Sequence, residues 1–133
     1  MKDPEALAMS AAALAADQLA TDIVVLDLRT LSDVVDFFVL ASSDSDMHLN
    51  AIATGIQDGL DAAGAALYHR EGGTGSKWIL LDYVDVVVHL MHPATRAFYS
   101  IEELWGDAPL AKIESKRLAV DAASIGESDD DDA

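Results

Sequence analysis

The residues from Lys77 to Met91, KWILLDYVDVVVHLM, constrain the fold more than any other stretch of the chain. Two apolar runs, Trp78 to Leu81 and Val86 to Met91, flank the polar interruption Asp82-Tyr83-Val84-Asp85, which predicts a tight β-hairpin. Strict alternation in the second run would leave one face in water. Instead Val86, Val87, Val88, Leu90 and Met91 put apolar groups on both faces, so the hairpin belongs near the middle of a sheet covered on both sides. Trp78 and Tyr83 are expected at its ends as partly exposed aromatics, followed by a short helical segment carrying Phe98, Tyr99 and Trp105.

The rest of the chain fits around that hairpin. Asp3 and Pro4 suit an N-cap and first turn, and the Ala-rich run after them, with Leu7, Ala11, Leu14 and Gln18 on one stripe, predicts a helix from about Pro4 to Ala20. Ile23 to Leu28 and Phe37 to Ala41 predict two strands, antiparallel because about eight residues join them. After Ser42 to Asp46, the spacing of Leu49, Ile52, Ala53, Ile56 and Leu60 predicts an amphipathic helix to about Ala63, closed by Gly64. Gly55 and Gly59, four residues apart inside it, are expected to give a flat stripe that packs on the sheet.

Ala65 to His69 is expected as a third strand, and Glu71 to Ser76 as a loop into the hairpin. Pro93 opens a helix, Ser100-Ile101-Glu102-Glu103 matches a capping box for another turn, and Leu110 to Ala123 is expected to be a marginal helix. The acidic run Asp129 to Asp132 is expected to be solvated and disordered. The expected fold class is α/β (α+β), one mixed sheet of about five strands with flanking helices in the order α-β-β-α-β-β-β-α. The domain is expected over residues 1–108, with an extension over 109–133.

Composition narrows the function. At 133 residues and 51% hydrophobic content one domain is expected, and the absence of cysteine excludes disulfides, thiolate nucleophiles and Cys-based metal sites. No signal-peptide layout is present and the apolar runs fall short of the roughly 20 residues of a membrane helix, so the expected location is the cytoplasm. A formal charge of −16 argues against a broad grip on a phosphate backbone and favours a basic partner. The excess of Asp over Glu and the few lysines equally fit a protein from a salt-rich cell, and composition leaves both readings open.

The motifs that invite catalysis do not hold together. The run GGTGSK has a phosphate-loop flavour, but Ser76-Lys77 leads into a strand rather than a helix. His89 and His92 lie three apart on a strand and point to opposite faces, so they do not share a metal; a partly buried, bonded His and an exposed one are expected. Asp82 and Asp85 flank a turn, where carboxylates commonly accept from turn N–H groups. The rival is a magnesium-dependent nucleotidyltransferase using Asp44 and Asp46, with Asp82 as a further ligand. Two carboxylates ahead of a helix are better suited to capping it. What remains is a surface in which Trp78 and Tyr83 are candidate interface anchors, the alternative being that Trp78 simply covers the sheet edge.

Asp22-Ile23 with Leu26-Asp27, Asp36-Phe37-Phe38-Val39, Glu71-Gly72, Trp78 to Tyr83, Asp85 to His89, Arg96-x-Phe98-Tyr99 and Leu104 to Ala108 together resemble the ribosomal silencing factor (RsfS, iojap) family. The resemblance covers about residues 4–108. It implies a nucleotidyltransferase-like fold without catalytic groups, no enzymatic activity and no cofactor. It further implies binding to the large ribosomal subunit through the basic ribosomal protein L-fourteen with little rRNA contact. Subunit joining would then be blocked when nutrients are scarce, and the free protein could form a homodimer. The same resemblance carries interface roles to Trp78, Leu80, Asp82, Tyr83 and Asp85, and to Arg96 and Tyr99. Two positions depart from the family pattern: Val84 and Ser43 stand where it usually has glycine, so a strained turn and an altered helix entry are expected.

Overall fold

Asp3 starts the first helix by accepting the Glu5 N–H on its carboxylate at 3.2 Å, with Pro4 in the first turn, where no N–H is needed. The computed structural model describes residues 3–115. Helix α1 spans Pro4–Asp17, three residues short of the expected end, because Gln18 caps it and Leu19 turns left-handed at φ 64°. Ala8, Ala11, Ala12 and Ala15 form its buried side, and their small size lets the helix backbone lie close to its neighbours.

Helix α2 spans Asp46–Ala62, with Ser45 Oγ accepting the His48 N–H at 3.2 Å, and buries Leu49, Ile52, Ala53, Ile56 and Leu60 as expected. Gly64, at φ 90°, follows its end. The Gly55 and Gly59 stripe faces α1, not the sheet: a Cβ at Gly55 would fall 2.7 Å from the Gln18 side chain, and one at Gly59 2.6 Å from Leu14. The periodicity located a close approach but not the neighbour. Ser43 keeps an ordinary backbone and ties the helix entry instead, its Oγ lying 2.7 Å from His48 Nδ1 and accepting the Ser45 N–H at 3.2 Å.

The strands are β1 (Thr21–Asp27), β2 (Phe37–Ser42), β3 (His69–Glu71), β4 (Trp78–Asp82), β5 (Val86–Met91) and β6 (Leu110–Ile113). They form one sheet in the order β3-β4-β5-β2-β1-β6, with β2 and β5 parallel and every other pair antiparallel. The hairpin β4–β5 and the antiparallel β1–β2 pair are where the sequence put them. Two elements are not. The third strand begins at His69, since Ala65 N–H still donates to Leu60 O at the end of α2 and the chain first meets β4 at Tyr68, whose N–H donates to Asp82 O. Residues 110–113, expected as the start of a helix, pair with β1, whose outer edge offers unpaired backbone groups that a short strand satisfies. The sheet thus has six strands rather than about five and continues past residue 108. Glu114 and Ser115 are not helical either, and the expected helix beyond residue 115 and the acidic run lie outside the described residues.

Alternation separates the two faces. Ile23, Val25, Phe37, Val39, Ile79, Leu81, Val86, Val88 and Leu90 point toward α1 and α2 and form the main core. Val24, Leu26, Leu40 and Met91 point the other way, where α3 (Pro93–Tyr99) and α4 (Ile101–Leu104) cover only part of the sheet. The expected capping box at Ser100 does not form. Ser100, at φ 49°, is both the C-cap of α3 and the N-cap of α4; its carbonyl accepts the Leu104 N–H at 3.1 Å, but its hydroxyl donates to Ala97 O at 2.7 Å and so caps no N–H of α4.

Candidate protein interface

The part-covered face of β4, β5 and β2 carries a small grid of side chains. Register places Trp78 opposite Met91, Leu80 opposite His89, and Asp82 opposite Val87. On the far side of β5, His89 pairs with Leu40 and Val87 with Phe38. His89 is therefore the centre of this face, with Trp78 and Phe38 as its diagonal neighbours. Trp78 lies between two rings: His89 at 5.8 Å between centroids and Tyr99 at 4.8 Å. Phe38 meets His89 edge-on at 4.6 Å and Trp105 at 6.1 Å. Phe98, 80% exposed, and Leu104, 76% exposed, extend the apolar surface onto α3 and α4.

Of the residues expected at an interface, Trp78, Leu80, Asp82 and Tyr99 share this side, and Asp85 is exposed at the hairpin end. Tyr83 departs from the expectation of a part-exposed anchor. It is only 7% exposed and belongs to the core beneath α1 and α2, because it follows Ile79 and Leu81 in the alternation of β4. Burial, with Asp61 adding, pushes its phenol pKa up. Arg96 is also inside: its Nη1 donates to Asp22 O at 2.7 Å and to Ser42 Oγ at 2.9 Å, and its other nitrogens hold Glu102. The Arg96 hydrogen bonds hold the Glu102 carboxyl below its usual range.

The carboxylates of the rival reading are dispersed. Asp46 pairs with Lys77 Nζ at 3.1 Å, and Asp82 accepts the Val84 N–H at 2.7 Å, as a turn carboxylate does. No group of three or more His, Asp or Glu among the described residues comes together as a metal site. His92 caps α3, its Nδ1 accepting the Ala94 N–H at 3.1 Å. No helix among the described residues is long and apolar enough to cross a membrane.

Sequence reasoning expected one partly buried, bonded histidine of the pair His89 and His92, but gave His89 no part in the surface that the grid centres on it. Its side chain is 5% exposed, Nδ1 accepts the Trp78 indole N–H at 3.1 Å, and Nε2 has no partner among the described residues. Burial pushes its pKa down to about 4, so the ring is neutral near pH 7. The signal was present: alternation from Val87 through His89 to Met91 puts the imidazole on the same face as Trp78.

The comparisons with known proteins agree with this architecture. A family model described as ribosomal silencing factor during starvation matches residues 1–133. The ribosomal silencing factor RsfS of Bacillus subtilis is 42% identical over 104 residues, 78% of this chain and 88% of that protein. The chloroplastic protein Iojap of Zea mays is 37% identical over 104 residues, covering 76% of this chain and 44% of the plant protein. A crystal structure of a Chromobacterium violaceum protein superposes with a TM-score of 0.75 at 35% identity, covering 78% of this chain and 87% of that one. A second, from Bacillus halodurans, gives 0.71 at 30% identity and covers 82% of this chain and 99% of its own. With the whole sequence matched by one family model and close relatives spanning most of it, the chain belongs to the ribosomal silencing factor family.

Proposed function

We propose that this protein is a non-catalytic cytoplasmic repressor of translation. It docks its aromatic sheet face on a basic protein of the large ribosomal subunit, L-fourteen, and prevents the small subunit from joining by occupying its place. The observation that carries the reading is the Trp78–Tyr99 pair, rings 4.8 Å apart, on a sheet face that α3 and α4 leave partly uncovered. Aromatic groups in such a setting are the usual anchors of protein interfaces. A net charge of −16 supports a basic partner and disfavours direct rRNA contact.

Co-sedimentation with purified large subunits tests the proposal. The protein is expected to travel with the large subunit at low salt, with less bound as salt rises. Trp78→Ala is expected to weaken binding by roughly 30-fold, the effect of losing about 2 kcal/mol at an anchor, with circular dichroism unchanged. A protein that stays at the top of the gradient at low salt would sink the reading. Undiminished binding by the Trp78 variant would move the interface elsewhere.

A further inference from the structure

We infer that His89 is a positioning residue for the interface: its Nδ1 lone pair fixes the orientation of the Trp78 indole on the sheet face. The docking half of this inference rests on the function proposed above; the Trp78–His89 link does not. The indole nitrogen is a donor only, so the 3.1 Å contact requires Nδ1 to be unprotonated. In a neutral imidazole the proton then sits on Nε2. That N–H is buried and has no acceptor among the described residues.

A buried donor without a partner is unfavourable, and a phenyl ring of similar size in the same layer would carry no such group. Phe38 and Trp105 show that the surrounding layer accepts aromatic rings edge to face. Packing alone therefore does not explain a histidine at this position. What the imidazole adds over phenyl is one acceptor, and that acceptor is spent on Trp78. Tyr99 bounds the indole at 4.8 Å with its ring tilted by 54°, so the indole is held by a packed aromatic neighbour and by a directional bond at its nitrogen. An anchor held in its bound pose loses less freedom on association.

The test uses two variants and two readouts. His89→Phe removes the acceptor and keeps a ring, whereas His89→Asn restores an acceptor at the δ position. The indole N–H resonances of the free protein are followed by two-dimensional ¹H–¹⁵N NMR, with Trp105→Phe assigning the two tryptophans. In His89→Phe the Trp78 indole proton is expected to move upfield and to exchange with solvent about tenfold faster. His89→Asn should keep it downfield.

Urea unfolding of His89→Phe is expected at the same or a higher midpoint, because the orphan N–H is gone. Affinity for large subunits should nevertheless fall about tenfold in His89→Phe and largely recover in His89→Asn. An unchanged indole signal in His89→Phe would overturn the link between the two residues. A changed signal with unchanged affinity would overturn its role in docking. If the unmodified protein fails to bind large subunits, the proposed function fails, and the NMR comparison still decides the Trp78–His89 link.

Discussion

Arg96 grips Glu102 with two nitrogens, Nε to Oε1 at 3.0 Å and Nη2 to Oε2 at 2.9 Å, across the left-handed turn at Ser100. Its Nη1 reaches the other way, to Asp22 O and Ser42 Oγ, so one buried guanidinium joins α3 and α4 to β1 and β2. The β1 irregularity between Thr21 and Val24, with Asp22 at φ 50°, belongs to the same arrangement, as it is the Asp22 carbonyl that Arg96 holds. Glu102 keeps 34% of its side chain exposed, so water can partly replace that partner, but removing the guanidinium leaves the buried Ser42 Oγ unmatched. Arg96→Ala is expected to cost about 1.5–3 kcal/mol in urea unfolding, and Arg96→Lys to restore only a minor part, because an ammonium cannot reproduce the planar fork. A loss under about 1 kcal/mol would show that the α3–α4 unit docks without it.

Gly72 precedes β4 at φ 90°, and a Cβ there would sit 2.7 Å from Trp78 O and 3.2 Å from Ile79 Cα. Those are backbone atoms of a strand paired on both sides, and they cannot move aside. Gly72→Ala should therefore destabilise by about 1–3 kcal/mol, combining the conformational cost with the clash. Gly73 next to it has no atom within 4 Å of its would-be Cβ, so Gly73→Ala should stay within about 0.5 kcal/mol of the parent. Thermal unfolding of the pair checks this, and equal effects at both positions would refute the steric account.

Val84 occupies the hairpin turn at φ 75°, a region that a β-branched side chain resists. The side chain is 56% exposed, so little packing offsets that strain. Replacing it by glycine relieves a strain of about 1–3 kcal/mol and gives back roughly 0.5–1 kcal/mol in unfolded-chain entropy. Val84→Gly should then raise stability by about 1 kcal/mol and the melting temperature by about 3–4 °C. A lowered melting temperature would mean that the Asp82 carboxylate, bonded to the Val84 N–H at 2.7 Å, already compensates the turn.

Periodicity made most of this fold readable, and its failures have physical causes. The hairpin, both long helices and the antiparallel β1–β2 pair follow from spacing and caps because their signals are local. Strand β6 does not: LAKI has no strong strand pattern, and three of its four residues are exposed, so its structure comes from the free edge of β1. At Ser100 the next helix does start as the pattern implied, but the same residue is the left-handed C-cap of α3 and its hydroxyl turns back to Ala97 O, so the reciprocal side-chain bonds of a capping box do not form. The same distinction holds for the site. Trp78, Leu80 and Asp82 fall together because alternation is local, and the same alternation carries Tyr83 after Ile79 and Leu81 to the core side, whereas Arg96 turned inward toward groups 54 and 74 residues away. His89 was within reach of the sequence, since the alternation that buried Val88 and Leu90 under α1 and α2 also sent His89 to the side of Trp78.

The pH dependence of stability carries the last prediction. Burial moves the His89 pKa from its ordinary 6.5 to about 4, so from pH 6.5 down to 4 the unfolded chain binds a proton at this residue that the folded protein does not. Stability contributed by the neutral ring is full above about pH 6.5 and is lost as pH falls toward about 4, a total on the order of 3 kcal/mol. Glu102 acts in a lower window: its carboxyl is held below the usual range by Arg96, so its contribution is kept at neutral pH and lost only as pH falls through that lowered value. Comparing urea unfolding at pH 7 and pH 5 therefore isolates the imidazole. The parent should lose about 2 kcal/mol more than His89→Phe over that interval, because His48, His69 and His92 are common to both chains and cancel. Parallel slopes for the two proteins would mean that the folded state protonates His89 as readily as the unfolded chain does, which a neutral acceptor buried beneath Trp78 does not allow.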